Sequence, residues 1–215
     1  VAKTRVLIVD DHPVMRRGLR EALAAEPELE ICGEAADTLQ AIDQARKSKP
    51  QLAIVDVSLP SGSGLDLAKQ LLTIHSSLRI LFVSMHDDAI FAERALRAGA
   101  LGYINKSRPA AELLDAVRKV TRGEIALSQP MSDRLVRRGI HPAREPLTGV
   151  ESLSDRELEV FELIGRGLGT REIAERLCLS TKTIETHREH IKTKLNLDSG
   201  TELSRHATLW SSRQA

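Results

Sequence analysis

Residues 5–12 read RVLIVDDH, an unbroken aliphatic run that ends on two acidic residues, Asp10 and Asp11. A strand with one wet face alternates apolar and polar residues, whereas an unbroken run suits a strand covered by helices on both faces of a parallel sheet. The same grammar recurs at LAIVDV (52–57), which closes on Asp56, and at RILFVS (79–84), which closes on Ser84. Shorter strand-like runs are LEICGEA (29–35) and LGYIN (101–105). Between them lie amphipathic stretches: VMRRGLREALAA (14–25), LQAIDQARKS (39–48), GLDLAKQLLTI (64–74), AIFAERALRAG (89–99) and AAELLDAVRKVTRG (110–123). This repeated strand-helix unit predicts an α/β domain, a five-stranded doubly wound parallel sheet ending near Gly123.

The 215 residues exceed one small domain and accommodate two. With 41% hydrophobic and 28% charged residues the balance is globular rather than disordered or membrane-embedded. Aromatic residues are only 2%, so the cores must be built from Leu, Ile, Val and Ala; this favours helix-covered parallel sheet and small helical bundles over β-sandwiches. The net charge of +1 carries no overall polyanion signature, so any nucleic-acid contact has to come from local charge. Cys32 and Cys178 stand apart, outside any zinc-type spacing, and read as buried small hydrophobes. No uncharged run approaches the ~20 residues of a membrane span, and no apolar leader opens the sequence. No membrane association is expected, and a reducing cytoplasm is the expected location.

From Glu124 to Ser152 the periodicity weakens, with Pro130, Pro142, Pro146 and Gly149 breaking any long helix. The reading is a linker over 123–149, with one short helix at Met131 to Arg138. Beyond it the chain is helical. Ser154 and Glu157 form a capping box, and Leu153 can staple onto Leu158, so a helix begins at Asp155 and runs to about Gly165. TREIAERL, TKTIETHREHIKTKL and TELSRHATLW supply three more, giving an all-α domain over 150–215.

In a doubly wound sheet, ligands gather beyond the carboxyl ends of the strands. Asp10, Asp11 and Asp56 all occupy such ends, and carboxylates brought that close repel unless a cation offsets them. A hard divalent ion such as Mg2+ suits oxygen ligands and leaves room for water and phosphate oxygens. Ser84 adds a hydroxyl and Lys106 an ammonium, together an anion cradle in which an Asp carboxylate can act as the nucleophile for an acyl phosphate. Alone, an acidic pair caps a helix and a lone lysine is solvated surface; together, on the ends of four strands, they are specific. Pro60 and Gly64 read as loop shapers after Asp56.

VDDH, DVSLPSGSGL, VS at 83–84 and AGALGYINK resemble the receiver domain of two-component response regulators across residues 1–122. The resemblance implies a flavodoxin-like fold, Asp56 as phosphoacceptor, Asp10 and Asp11 with Asp56 holding magnesium, Lys106 pairing with the phosphoryl group, and Ser84 with Tyr103 as the switch pair. From the residues alone, Tyr103 is an edge aromatic packed on Ala98 or Leu101. Many receivers place a proline after this lysine; Ser107 stands here.

On a helical wheel of 181–195, Ile184, Ile191 and Leu195 form one stripe, opposite Lys182, Thr186, Glu189 and Thr193. The preceding helix offers Ile173, Ala174 and Leu177, and Ser180 is placed to cap its successor. The pattern fits a helix-turn-helix and an ordinary helical hairpin equally. The wording LSDRELEVFELIGRGLGTREIAERLCLSTKTIETHREHIKTKL resembles the LuxR-type output domain, and its combination with a receiver resembles the NarL/FixJ class of response regulators. That resemblance places Glu185, Thr186 and Glu189 at base-facing positions of double-stranded DNA, with Thr181, Lys182, Thr183, His187, Arg188, Lys192 and Lys194 as phosphate contacts. Glu189 is equally a solvated charge, and Arg188 either follows the backbone or packs its stem on the core. Gly169 stands where relatives often carry a capping Ser. Leu203, Ala207 and Trp210 share one face of the last helix, suited to closing the core or to an interface; the resemblance favours homodimerisation through that helix.

The function so implied is a non-enzymatic regulator: a histidine kinase phosphorylates Asp56 and thereby alters DNA binding and transcription. A protein- or RNA-binding output domain is the alternative, and a phosphatase or phosphotransferase working through an aspartyl intermediate is a third reading.

Overall fold

The computed structural model describes residues 3–60, 62–86, 88–140 and 149–212, without the side chains of 89 and 138–140. It forms two compact units, Val1–Arg137 and Arg138–Ala215.

In the first unit the strands are β1 (Thr4–Val9), β2 (Leu29–Ala35), β3 (Leu52–Val55), β6 (Arg79–Ser84) and β7 (Gly102–Asn105); β4 (Ser58–Leu59) and β5 (Gly62–Ser63) form a small antiparallel pair apart from them. The helices between are α1 (Pro13–Ala24), α2 (Thr38–Ser48), α3 (Gly64–Ile74), α4 (Asp88–Arg97) and α5 (Ala110–Thr121). The sheet order is β2-β1-β3-β6-β7 and every pair is parallel. The chain winds outward first to one side of β1 and then to the other, so the switch point lies between β1 and β3.

Period-two alternation sorts the buried strands into two cores. Val6, Ile8, Leu52, Ile54, Leu81 and Val83 pack with Leu19 and Leu23 of α1 and Val117 and Val120 of α5. Their neighbours Leu7, Val9, Ala53, Val55, Ile80 and Phe82 are buried on the opposite side. The unbroken apolar runs are therefore strands wrapped on both faces. Asp37 caps α2 by accepting the Gln40 N–H, and Lys49 ends that helix in a left-handed conformation.

The segment expected to be linker begins otherwise. Ala126 bridges β7 at Gly102, Met131 is buried, and α6 runs from Gln129 to Ile140, longer than the expected short helix. Pro130 does not interrupt this helix but sits in its first turn, where a missing N–H costs nothing. Pro142 and Pro146 lie outside the described residues.

In the second unit, a short 3-10 turn (Gly149–Ser152) precedes α7 (Asp155–Gly165), α8 (Thr170–Arg176), α9 (Thr181–Leu195) and α10 (Gly200–Ser212). The capping box is present: Glu157 N–H donates to Ser154 Oγ, and Ser154 N–H to Glu157 Oε2 at 2.7 Å. Gly169, lacking a capping side chain, gives its N–H to Glu172 Oε2 at 2.7 Å. Cys178 is exposed in the α8–α9 turn with φ 52°, and Cys32 is half-buried, so neither is the buried hydrophobe its type suggested. No described helix is long and apolar enough to cross a membrane.

Candidate functional site

β1, β3, β6 and β7 all point their carboxyl ends to one place. Asp10 follows β1, Asp56 follows β3, Ser84 closes β6 and Lys106 follows β7; all but Lys106 are classed as buried residues, and the Lys106 side chain is only 3% exposed. Lys106 Nζ lies 2.6 Å from both Asp56 Oδ2 and Asp10 Oδ2. Asp10, Asp11, His12 and Asp56 each offer a ligand atom, all within 4.8 Å of one another. At residue 64 a Cβ would fall 2.0 Å from the Asp56 carbonyl oxygen, so the loop after Asp56 can close only over a glycine.

Burial pushes the Asp56 carboxyl up, and although Lys106 and a hydrogen bond from Ser84 oppose this, it stays above its ordinary range. Burial pulls the Lys106 ammonium down, but Asp56 and Asp10 outweigh it and hold it above its ordinary value. Three carboxylates facing one ammonium leave an excess of negative charge among oxygen donors. That donor set fits a hard divalent cation.

Tyr103 is buried, and its hydroxyl donates to His86 O at 2.8 Å. His86, which no local pattern singles out, joins the switch candidates. Its N–H reaches Ser84 Oγ at 3.4 Å, its Nε2 lies 2.7 Å from Ser58 Oγ, and its ring stacks on Phe91 at 4.6 Å. His12, directly after the acidic pair, is a second residue that local spacing does not single out and that joins the cluster. Ser107 donates both N–H and hydroxyl to Asn105 Oδ1, at 2.9 and 2.7 Å, and no cis peptide occurs among the described residues.

In the second unit α8 and α9 pack through Ile173, Ala174, Ile184 and Ile191, with the Thr183 N–H on Ser180 Oγ at 3.0 Å. Arg156 of α7 ties down the turn by donating to Leu177 O at 2.9 Å. Thr181, Lys182, Glu185, Thr186 and Glu189 are exposed on the outer side of α9, Thr183 is half-buried, and the Thr186 hydroxyl is taken up by Lys182 O at 3.1 Å. Lys192 pairs with Glu189 at 2.9 Å, which offsets a charge that DNA would repel.

Some positions are committed inward. Lys194 Nζ lies 2.6 Å from the buried Glu157, so the fold already uses this ammonium. His187 is half-buried; burial and then the Arg156 charge push its imidazole below its ordinary value. Arg188 is half-buried, with its guanidinium close to Gly200. Two of the three expected dimer residues require correction: Leu203 and Ala207 are fully buried inside the unit's own core, because this face of α10 closes the bundle over α7. Trp210 packs on Phe161 at 5.6 Å and stays half-buried.

Residues 6–118 match the family described as response regulator receiver domain, and residues 151–207 the family described as bacterial regulatory proteins, luxR family. The chain is a two-component response regulator of the NarL/FixJ class. This regulator is 36% identical over 208 residues to the oxygen regulatory protein NreC of Staphylococcus carnosus (strain TM300), covering 94% of its own length and 96% of that protein. It also resembles the structure of RcsB from Salmonella enterica serovar Typhimurium bound to promoter rprA in the presence of the phosphomimetic BeF3-, with TM-score 0.74, 25% identity and coverage of 96% of this chain and 98% of that one. A LuxR-family two-component response regulator from Aurantimonas sp. SI85-9A1 matches with TM-score 0.60 and 31% identity over 65% of this chain and 100% of that one.

Proposed function

We propose that Asp56 accepts a phosphoryl group from a histidine kinase and that this shifts a population of receiver conformations, changing the affinity of the LuxR-type domain for promoter DNA. Residues 1–122 act as receiver, 123–149 as connection and 150–215 as output. The observation that carries the reading is the buried Asp56 with Lys106 2.6 Å away at the sheet's switch point. In the transfer, an Asp56 carboxylate oxygen forms the bond to phosphorus as the bond from phosphorus to the kinase imidazole nitrogen breaks. Lys106 holds charge on the transferring oxygens and Ser84 donates its hydroxyl to one of them. Asp10, Asp11 and Asp56 would hold magnesium, which when bound supplies electrostatic stabilisation of the phosphoryl oxygens. Ser84 and Tyr103 act as the switch pair, with His86 between them as the element both touch.

The outward side of α9 enters the major groove: Glu185, Thr186 and Glu189 face bases, while Thr181, Lys182, Thr183, Arg188 and Lys192 contact phosphates. Support comes from the exposure of that face and from RcsB, the relative seen bound to promoter DNA. A homodimer on DNA belongs to the proposal, reading half-sites about one helical turn apart, with the outward side of α10, where Leu209 is 55% exposed, as its contact. The cytoplasm is the proposed location.

The test is loading with a labelled phosphodonor followed by titration of duplex DNA and RNA at several salt concentrations. Asp56→Asn should stay unlabelled and lose the phosphorylation-dependent change. Lys182→Ala and Lys192→Ala should each weaken binding across sequences and lower the log-log salt slope by about 1. Label on another side chain, equal binding of RNA, or sustained turnover of a small phosphomonoester would each overturn the reading.

A further inference from the structure

The outer edge of the receiver's sheet is held at one point. Ala126 forms a parallel bridge with Gly102, donating its N–H to Leu101 O at 2.9 Å and accepting the Tyr103 N–H at 2.9 Å. Ala126 is buried in the same apolar cluster as Val83, Ile104 and Val117, whereas Ile125 beside it is 62% exposed, so the contact is a single residue long. A Cβ at residue 102 would lie 2.8 Å from both Ala126 O and Leu81 Cδ1 and 3.0 Å from Ala126 Cβ, so the strand carries a glycine where the segment and the flexible Leu81 side chain of β6 both close in. Gly123, at φ 82°, turns the chain out of α5 toward this edge, and α6 follows three residues after Ala126.

We infer that the segment 125–127 is a detachable latch, a one-residue sixth strand through which β7 passes the state of Asp56 to α6. The inference rests on the reading of Asp56 as phosphoacceptor. β7 is four residues long. Just beyond its far end Lys106 bonds Asp56 at 2.6 Å, and in its middle Tyr103 is held twice, by its hydroxyl on His86 O and by its N–H on Ala126 O. When Asp56 takes a phosphoryl group, Lys106 has to re-aim from the carboxylate to the new oxygens, and the Tyr103 side chain answers the Ser84–His86 loop. Both displacements act on one short strand, whose inner edge is locked to β6 by a continuous ladder and whose outer edge is held by two backbone hydrogen bonds and one buried methyl. The weaker edge yields first. Docked and released states of the latch are then the two discrete arrangements that coupling between sites requires, and α6 is freed or held accordingly.

The experiment uses the full chain. Hydrogen exchange over 101–104 and 124–128 is followed with and without a small acyl phosphate donor and magnesium, and duplex affinity is measured for wild type, Ala126→Pro and the control Ile125→Ser. Ala126→Pro removes the donor to Leu101 O and, because that N–H points into the ladder rather than to solvent, sets the proline ring against the strand edge. Loading of wild type should change exchange in both stretches. Ala126→Pro should load Asp56 as fully as wild type, yet the affinity gain on loading, roughly 5–150-fold for coupled sites, should shrink to about twofold or less, while Ile125→Ser keeps it. Should thermal melting show Ala126→Pro to be unfolded, Gly102→Ala presses on the latch from the strand side and must produce the same loss. Unchanged exchange on loading, or a full affinity gain in a folded latch variant, overturns the inference. Failure of wild type to load Asp56 removes the underlying reading instead, and is seen before any latch variant is compared.

Discussion

The Lys106 ammonium stands 2.6 Å from the Asp56 carboxylate with the two side chains only 3% and 4% exposed, and it is the same distance from Asp10. One cation thus holds together loops that follow three different strands, and the receiver's stability and its chemistry share this contact.

Replacing that cation should be costly. Lys106→Met leaves two buried carboxylates without their partner, a change expected to destabilise the folded receiver by about 3–5 kcal/mol. Magnesium should restore part of the loss by supplying positive charge to the same oxygens. Urea unfolding with chelator and with magnesium measures both; a variant whose midpoint equals wild type in chelator would show that the pair contributes nothing to stability. Phosphoryl loading should slow in either buffer.

Acidity gives a second handle on the same site. Burial raises the Asp56 carboxyl above its ordinary value, so between that value and the folded one the native state binds more protons than the unfolded chain. Ionised Asp56 therefore lowers stability as pH rises through this window, and Asp56→Asn, which cannot ionise, should gain on wild type from about pH 3.9 upward until the folded value is passed. Lys106 acts in the same direction at higher pH: its stabilisation is complete below the unfolded value of about 10.4 and is lost as pH rises through its higher folded value. Thermal melts of the two proteins in chelator should diverge with rising pH at the acid end; parallel curves would contradict the assignment.

In the output domain, Glu157 holds α9 to α7. Burial pushes its carboxyl up, but hydrogen bonds from Lys194 and from Ser154 outweigh this and keep it below its ordinary value. Its stabilisation is therefore present above the unfolded value of about 4.3 and lost as pH falls through the lower folded one. Lys194→Met should cost about 1 kcal/mol, a modest figure because Lys194 is 39% exposed. Trp210, the chain's single tryptophan, packs on Phe161 and reports the unfolding by its fluorescence. DNA affinity at neutral pH should fall no more than the folded population does; a loss with an altered salt slope would return Lys194 to the phosphate contacts.

The two sides of α10 should separate cleanly. Leu203→Ala opens the bundle's core and should cost 2–5 kcal/mol, about the usual range for a buried leucine. Leu209→Ser, on the exposed side, should change stability by less than ~0.5 kcal/mol. Sedimentation of the DNA-bound protein then tells which side meets a partner, and the expected outcome is that Leu209→Ser weakens the dimer.

Element type was legible wherever the signal is local. Helix α9 spans the fifteen residues read as TKTIETHREHIKTKL, and α7 starts at Asp155 as the capping box required. The strand ends bearing Asp10, Asp56, Ser84 and Lys106 were legible too, because a doubly wound topology sends all carboxyl ends to one edge. Illegible were His86 and Ser58, whose bond joins residues 28 apart in sequence, and the docking of Ala126, which shares its short apolar run with an exposed Ile125.

Local pattern sets the order of the five sheet strands and their helices, the caps of α7 and α9 and which residues finish each parallel strand, since periodicity and capping depend on neighbours within a turn or a strand. Partners emerge only once the chain is folded: Lys194 with Glu157 rather than solvent, Leu203 in the core rather than at an interface, Ala126 on the edge of β7. A side chain's face is set by its own helix or strand, but what meets that face is set by segments far away in the chain, and the geometry that brings them together is not written in any local pattern.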